Sequence, residues 1–236
     1  DINDVQVRKA PLTDDFQLDL IHLENLADEN TKLIWICSPN NPTGNAFNRQ
    51  DIEMLLNNFS GIVVIDEAYI NFSRQKSFIL ELAEYPNLVV MQTFSKAWGL
   101  AGLRLGMAFA SREIIEILDK IKPPYNINQA TQEIALTALN NVAEVNDMII
   151  EIVNMREALV NVLEQMPGVE KVYPSDANFL LVKIKDARKV YEFLLAKSIV
   201  VRDRSNVKLC DNCLRITVGT EQENTALVDA LIEWSL

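Results

Sequence analysis

Histidine is almost missing from this chain: His22 is the only one among 236 residues. Catalytic triads and most metallohydrolase centres use imidazole as base or ligand, so those chemistries lack their usual parts. His22 lies in Leu20-Ile21-His22-Leu23, where a partly buried structural histidine is expected. Cysteine is scarce too, and its odd number, three, speaks against a disulfide framework. Cys210-Asp211-Asn212-Cys213 has the spacing of a redox or zinc pair. A zinc site needs two further ligands, and the expectation is no metal and a tight turn ahead of a strand at Leu214. Long apolar runs are absent, none approaching the roughly 20 residues that span a bilayer. The opening residues Asp1-Ile2-Asn3-Asp4 have no signal-peptide layout. Positive charge is short, with 22 Lys and Arg against 33 Asp and Glu, a net of −11. That balance disfavours nucleic acid and anionic membranes as partners. A cytoplasmic protein working on small molecules is expected, with chemistry resting on lysine, tyrosine, carboxylate or a cofactor.

What is present is apolar patterning. Hydrophobic residues make up 49% of the chain, enough for one large core or two modest ones. Short apolar runs recur at 33–37, 62–65, 88–91 and 105–110, with helical patterns at 49–58 and 77–84 between the first three. Such alternation predicts β-α-β units and a mostly parallel sheet flanked by helices, which places ligands at the carboxyl ends of the strands. Residues 111–121 read as a helix and Pro123-Pro124 interrupts the pattern. A helical stretch over 128–166, as one or two helices, then links two bodies. The tail reads as a smaller α/β unit with strands at 169–173, 178–182 and 214–218 and helices at 186–197 and 221–234. The fold class expected is α/β, with domains 1–124 and 125–236 and a cleft between them.

Each of the first three apolar runs ends in polar residues. After the first comes Ser38-Pro39-Asn40-Asn41-Pro42-Thr43-Gly44; after the second, Asp66-Glu67-Ala68-Tyr69; after the third, Thr93-Phe94-Ser95-Lys96. The first segment by itself is a plain turn former. Asp66 suits a helix N-cap or the partner of a cation. Lys96, ending an apolar run with Arg104 eight residues on, suits either a surface lysine or a desolvated amine that attacks carbonyls. Together they match the chemistry of pyridoxal phosphate: a lysine for its aldehyde, an aspartate for its pyridine nitrogen, and tyrosine and asparagine for its phenolic oxygen. Ser95 and Arg104 suit its phosphate. Arg215, between Leu214 and Ile216, needs an anionic partner, either a bidentate ligand or a protein carboxylate.

On these segments, with Gly99-Leu100-Ala101-Gly102-Leu103-Arg104-Leu105-Gly106 and Leu214-Arg215-Ile216-Thr217-Val218-Gly219-Thr220, the chain resembles the fold-type-I aminotransferases, and among them the histidinol-phosphate aminotransferases. The resemblance runs over nearly the whole chain. It implies a fold-type-I large domain with a smaller C-terminal domain, and a transaminase of histidine biosynthesis that uses pyridoxal 5'-phosphate and works as a homodimer on amino and keto acids. Lys96 becomes the Schiff-base lysine and proton carrier, Asp66 the pyridinium partner, and Asn41 and Tyr69 the ligands of the phenolic oxygen. Ser95 and Arg104 take the cofactor phosphate. Arg215 clamps the substrate carboxylate, Arg202 helps bind the substrate, and Asn178 lies nearby. Related enzymes that decarboxylate phosphorylated amino acids such as threonine phosphate carry nearly the same motifs, and a non-enzymatic sensor domain is a third reading. Members of the family begin with on the order of a hundred further residues, so this chain is expected to open in mid-domain and to bind cofactor weakly when isolated.

Overall fold

The computed structural model describes residues 4–235. In chain order its elements are α1 (Leu20–Leu26), β1 (Leu33–Cys37), α2 (Arg49–Asn58), β2 (Ile62–Asp66), β3 (Leu88–Thr93), β4 (Gly106–Ala110), α3 (Arg112–Ile121), α4 (Gln129–Leu139), α5 (Val142–Leu163), β5 (Val169–Val172), β6 (Phe179–Ile184), α6 (Ala187–Ala196), β7 (Arg202–Asp203), β8 (Cys213–Thr217) and α7 (Glu221–Trp234). They build two four-stranded sheets, ordered β1-β2-β3-β4 and β5-β6-β8-β7.

In the first sheet β1, β2 and β3 run parallel and β4 closes the edge antiparallel. Strand alternation turns Ile34, Ile36, Val63, Ile65, Leu88 and Val90 to one face, where they pack on Ile52, Leu55 and Leu56 of α2. The Asn48 side chain caps α2 by accepting from Gln50 N at 3.0 Å. The opposite face holds Leu33 and Trp35, the latter 60% exposed.

The second sheet is antiparallel throughout. Leu180, Val182, Ile184, Leu214 and Ile216 pack on α5, α6 and α7 through Leu159, Leu163, Val190, Leu194, Leu227 and Leu231. Period-two alternation sends Phe179, Leu181 and Arg215 to the other face, toward the loops of the first sheet. There Phe179 and Ala177 meet Tyr69, Phe72 and Ala97, with Ile149, Ile152 and Val153 of α5 alongside. Buried Arg156 of α5 ties the junction by donating to Phe72 O at 3.3 Å and Ala177 O at 2.6 Å.

Several elements differ from expectation. The helix foreseen over 77–84 is only a short 3-10 turn, Phe78–Glu81, whose start is held by the Glu67 carboxylate, which accepts from Phe78 N at 2.8 Å and Ser77 Oγ at 2.5 Å. The stretch over 128–166 is two helices, broken where Asn141 leaves helical geometry (φ −109°, ψ 31°). His22 is exposed, not partly buried: it sits on α1, whose inward positions are Leu20 and Leu23. Cys210 and Cys213 do form a turn, with Cys213 N donating to Cys210 O at 3.0 Å. Both are buried against Phe16 and Leu181, and burial pushes the Cys213 thiol up to about 12. No described helix is long and apolar enough to cross a membrane.

Candidate active site

The carboxyl ends of β1, β2 and β3 open on the same side, as parallel strands require, and each supplies part of the site. After β1, Ser38 N donates to Asp66 O at 3.0 Å, and Ser38 Oγ accepts from Phe47 N at 3.0 Å. Asn40 N donates to Asn45 O and Gly44 N to Asn40 O, both at 2.8 Å, closing a tight loop with Asn41 exposed at its tip. Gly44 has φ +87°, and a Cβ there would lie 2.7 Å from Ser175 Oγ, so the close approach of the two loops requires glycine.

After β2, Asp66 Oδ1 accepts from Ala68 N at 3.0 Å, an Asx turn and not the helix N-cap foreseen as one alternative for it, since the 3-10 turn that follows starts at Ile70 with Tyr69 at its cap position. Asp66 is directly opposite Cys37 in the ladder. Burial first, and the Asp66 carboxylate second, push the Cys37 thiol up to about 11. Tyr69 is buried, its ring edge-on to Phe179 with centroids 5.2 Å apart and planes at 86°.

After β3, Lys96 corrects the expectation of a desolvated amine: it is exposed, with Nζ 5.1 Å from the centroid of the Tyr69 ring. The apolar run that suggested burial ends before it, and the side chain leaves the strand end on a turn. Phe94 N donates to Leu105 O at 3.2 Å, continuing the β3–β4 pairing past Thr93 and Gly106. Ser95 and Arg104 therefore leave the ladder as neighbours. Arg104 is exposed, in the left-handed region (φ 52°), and donates to Ala101 O at 3.2 Å.

From the second sheet, Arg215 on β8 donates through Nη1 to Asn41 Oδ1 at 2.9 Å, and its guanidinium carbon lies 5.1 Å from the Phe179 ring centroid. Its Nε is buried with no partner. Burial first, then the Arg204 and Arg202 guanidiniums, hold its pKa below the ordinary arginine value. Arg202 is the cross-strand neighbour of Arg215. Asn178 accepts Val218 N on its backbone oxygen at 3.0 Å, at the mouth of β6 and β8. Lys96, Tyr69, Phe179, Arg215 and Asn41 thus form one continuous run of contacts across five chain segments.

Sequence reasoning missed residues that hold this cluster together. Asp176 reaches across to the first sheet, accepting from Ala46 N and Ser73 Oγ at 3.0 Å each, while its own N–H donates to Gly44 O at 2.7 Å. Glu67, fully buried, accepts from Ser77, Phe78 and, at 3.0 Å, Gln92 Nε2; burial raises its pKa despite these donors. A second carboxylate directly after the apolar run 62–65 was the available signal for Glu67. None marked Asp176, whose partners are more than a hundred residues away.

The model of aminotransferase classes I and II matches residues 1–231. The chain is 53% identical over 230 residues to a Cytophaga hutchinsonii protein named histidinol-phosphate aminotransferase, covering 98% of this chain and 66% of that one. It therefore spans about two thirds of the length of such relatives. Among solved structures, a Sinorhizobium meliloti histidinol-phosphate aminotransferase in complex with pyridoxal-5'-phosphate superposes with TM-score 0.86 at 27% identity, covering 97% of this chain and 64% of that one. L-threonine-O-3-phosphate decarboxylase from Porphyromonas gingivalis superposes with TM-score 0.78 at 28% identity, covering 89% and 66%. With its parallel strands ending in this cluster and a family match across nearly its whole length, the chain belongs to the class I and II aminotransferases.

Proposed function

We propose that the complete protein is a pyridoxal-phosphate-dependent transaminase that converts imidazole-acetol phosphate and glutamate to histidinol phosphate and 2-oxoglutarate, in the cytoplasm. The observation that carries this reading is the contact run from Lys96 through Tyr69 and Phe179 to Arg215 and Asn41. It sets an exposed amine at one end and an arginine with an unsatisfied buried Nε at the other.

The residues present fit the cofactor. A free amine (Lys96), a carboxylate at a strand end (Asp66), a phenol (Tyr69) and a hydroxyl–guanidinium pair (Ser95, Arg104) are the donor set that an aromatic aldehyde bearing a phosphate requires. When bound, the cofactor supplies an electron-accepting ring that stabilises negative charge at the substrate's α-carbon. Asp66 holds a proton on the ring nitrogen by ion pairing. Asn41 uses its Oδ1 on Arg215, which leaves its amide N–H groups to hold the phenolic oxygen together with the Tyr69 hydroxyl once the cofactor is bound. Lys96 Nζ, 5.1 Å from the Tyr69 ring centroid, would be the base that takes the substrate's α-proton. Arg215 binds the substrate's anionic group, desolvated on one side by Phe179, with Arg202 beside it and Asn178 at the cleft edge.

The division into domains 1–124 and 125–236 belongs to the same reading, supported by a separate hydrophobic core on each sheet. So does a homodimer, supported by exposed Ile117, Ile121, Ile134, Leu136 and Leu139 on α3 and α4, which call for a covering surface. The likeness to a phosphothreonine decarboxylase favours a second reading, decarboxylation of a phosphorylated amino acid. Expression of the complete reading frame separates them. Cofactor absorbance that cycles between aldehyde and amine forms with histidinol phosphate and 2-oxoglutarate supports transamination; carbon dioxide release from phosphothreonine without such cycling overturns it.

A further inference from the structure

We propose that Arg204 is a third arginine of the substrate anion site, and that Arg202, Arg204 and Arg215 together select a phosphate monoester over a carboxylate. This rests on the transaminase reading above and adds a residue to its binding site.

The geometry begins with the β7–β8 edge. Arg202 pairs with Arg215 across the ladder, and Arg204 N donates to Cys213 O at 2.8 Å, carrying the pairing two residues further. Alternation puts Arg202, Arg204 and Arg215 on one face, the face that also carries Phe179 and Leu181. The carboxylate between them, Asp203, is on the other face and already engaged: it accepts from Ser205 N at 2.9 Å and Ser205 Oγ at 2.6 Å, and lies 3.6 Å from Arg188 Nη1.

Three guanidiniums on one face repel one another, and nothing described neutralises them. Among the described residues none of the three makes an ion pair. Arg204 Nε and Arg215 Nε are both buried without a hydrogen-bond partner, and the bond Arg215 does make is to the neutral amide of Asn41. In a chain of net charge −11, carboxylates are abundant, so leaving these arginines unpaired points to a ligand. The depression of the Arg215 pKa by Arg204, ahead of Arg202, agrees with a close approach of the two charges. A single carboxylate offers one negative charge and two oxygens, which Arg215 alone can fork. A phosphate monoester offers up to two charges and three terminal oxygens, which suits a set of three guanidiniums. The donor substrate glutamate therefore uses Arg215, and a phosphorylated substrate uses all three.

The test compares complete holoenzyme with Arg204→Gln and Arg204→Lys, taking the amine half-reactions with histidinol phosphate and with glutamate. Arg204→Gln is expected to raise the ratio of KM for histidinol phosphate to KM for glutamate about tenfold or more, the loss of one charge-assisted contact, with partial recovery in Arg204→Lys. Inorganic phosphate binding to the holoenzyme, followed by calorimetry, is expected to weaken by a similar factor. An unchanged KM ratio together with unchanged phosphate affinity overturns the proposal. If wild-type holoenzyme turns over other amines but not histidinol phosphate, the substrate reading has failed instead, and the phosphate titration alone decides the role of Arg204. Should Arg204→Gln fail to load cofactor, Arg204→Lys is judged by the same ratio.

Discussion

Arg215 and Asn41 are 174 residues apart in sequence and joined by a 2.9 Å hydrogen bond from the guanidinium to the side-chain amide oxygen. That bond connects the second sheet to the loop after β1 and fixes one edge of the arginine's fork. In the complete holoenzyme Arg215→Lys is expected to lower kcat/KM by about a hundredfold or more, because an ammonium cannot fork an anion and also hold Asn41. Asn41→Ala is expected to raise KM about tenfold by loosening the guanidinium. Steady-state kinetics on both variants checks this ordering.

Gly44 lies where a loop of the first sheet meets the segment before β6. Its φ is +87°, and a Cβ added to it would stand only 2.7 Å from Ser175 Oγ. Gly44→Ala is therefore expected to destabilise the fold by about 1–3 kcal/mol. Adding Ser175→Ala relieves the Oγ contact but leaves Ser175 Cβ 3.1 Å away and forfeits the hydroxyl's bonds to Phe179 O and Ala177 N, so the double variant is expected to recover none of the loss. Urea unfolding of the wild type and both variants measures it.

The cysteines give the chain an alkaline limit. With thiols raised to about 11 at Cys37 and about 12 at Cys213, the thiolate fraction of Cys37 at pH 8 is about one in a thousand, so alkylation of folded protein is expected to be far slower than of a free thiol. The sign of the linkage follows. A folded-state pKa above the unfolded value contributes stability below the unfolded value of 9.0, and that contribution is lost as pH rises toward 11. Unfolding free energy is expected to fall between pH 9 and 11, and less steeply in Cys37→Ala; a rise over that interval contradicts it.

Asp66 is expected to act through its charge. Asp66→Asn keeps an acceptor for Ala68 N but cannot hold a cationic ring nitrogen, so turnover is expected to drop by about a hundredfold or more while the unfolding midpoint moves little. Equal losses of stability and activity would reduce Asp66 to a turn former.

Much of this was legible in the chain. The runs 62–65 and 88–91 are apolar on successive residues because these parallel strands are buried on both faces or nearly so, whereas 33–37 is buried on one face only, and Arg49–Asn58 and Glu221–Trp234 carry clear helical periodicity and caps. The strand ends therefore located Asp66, Tyr69 and Lys96. What could not be read was environment. Lys96 ends an apolar run yet is exposed, since burial depends on what packs over a turn, not on the strand before it. Asp176 and Arg156 act across more than twenty to a hundred residues of sequence, and Arg204 gains meaning only from its two-residue strand neighbour and its unpartnered Nε.

Lys96 is expected to be the amine that holds the cofactor. The direct measurement is borohydride reduction of the complete protein with pyridoxal phosphate, followed by peptide mapping. A single pyridoxyl adduct on Lys96 is expected, and no adduct with loss of turnover in Lys96→Ala. An adduct on another lysine, or near wild-type turnover in Lys96→Ala, would contradict it.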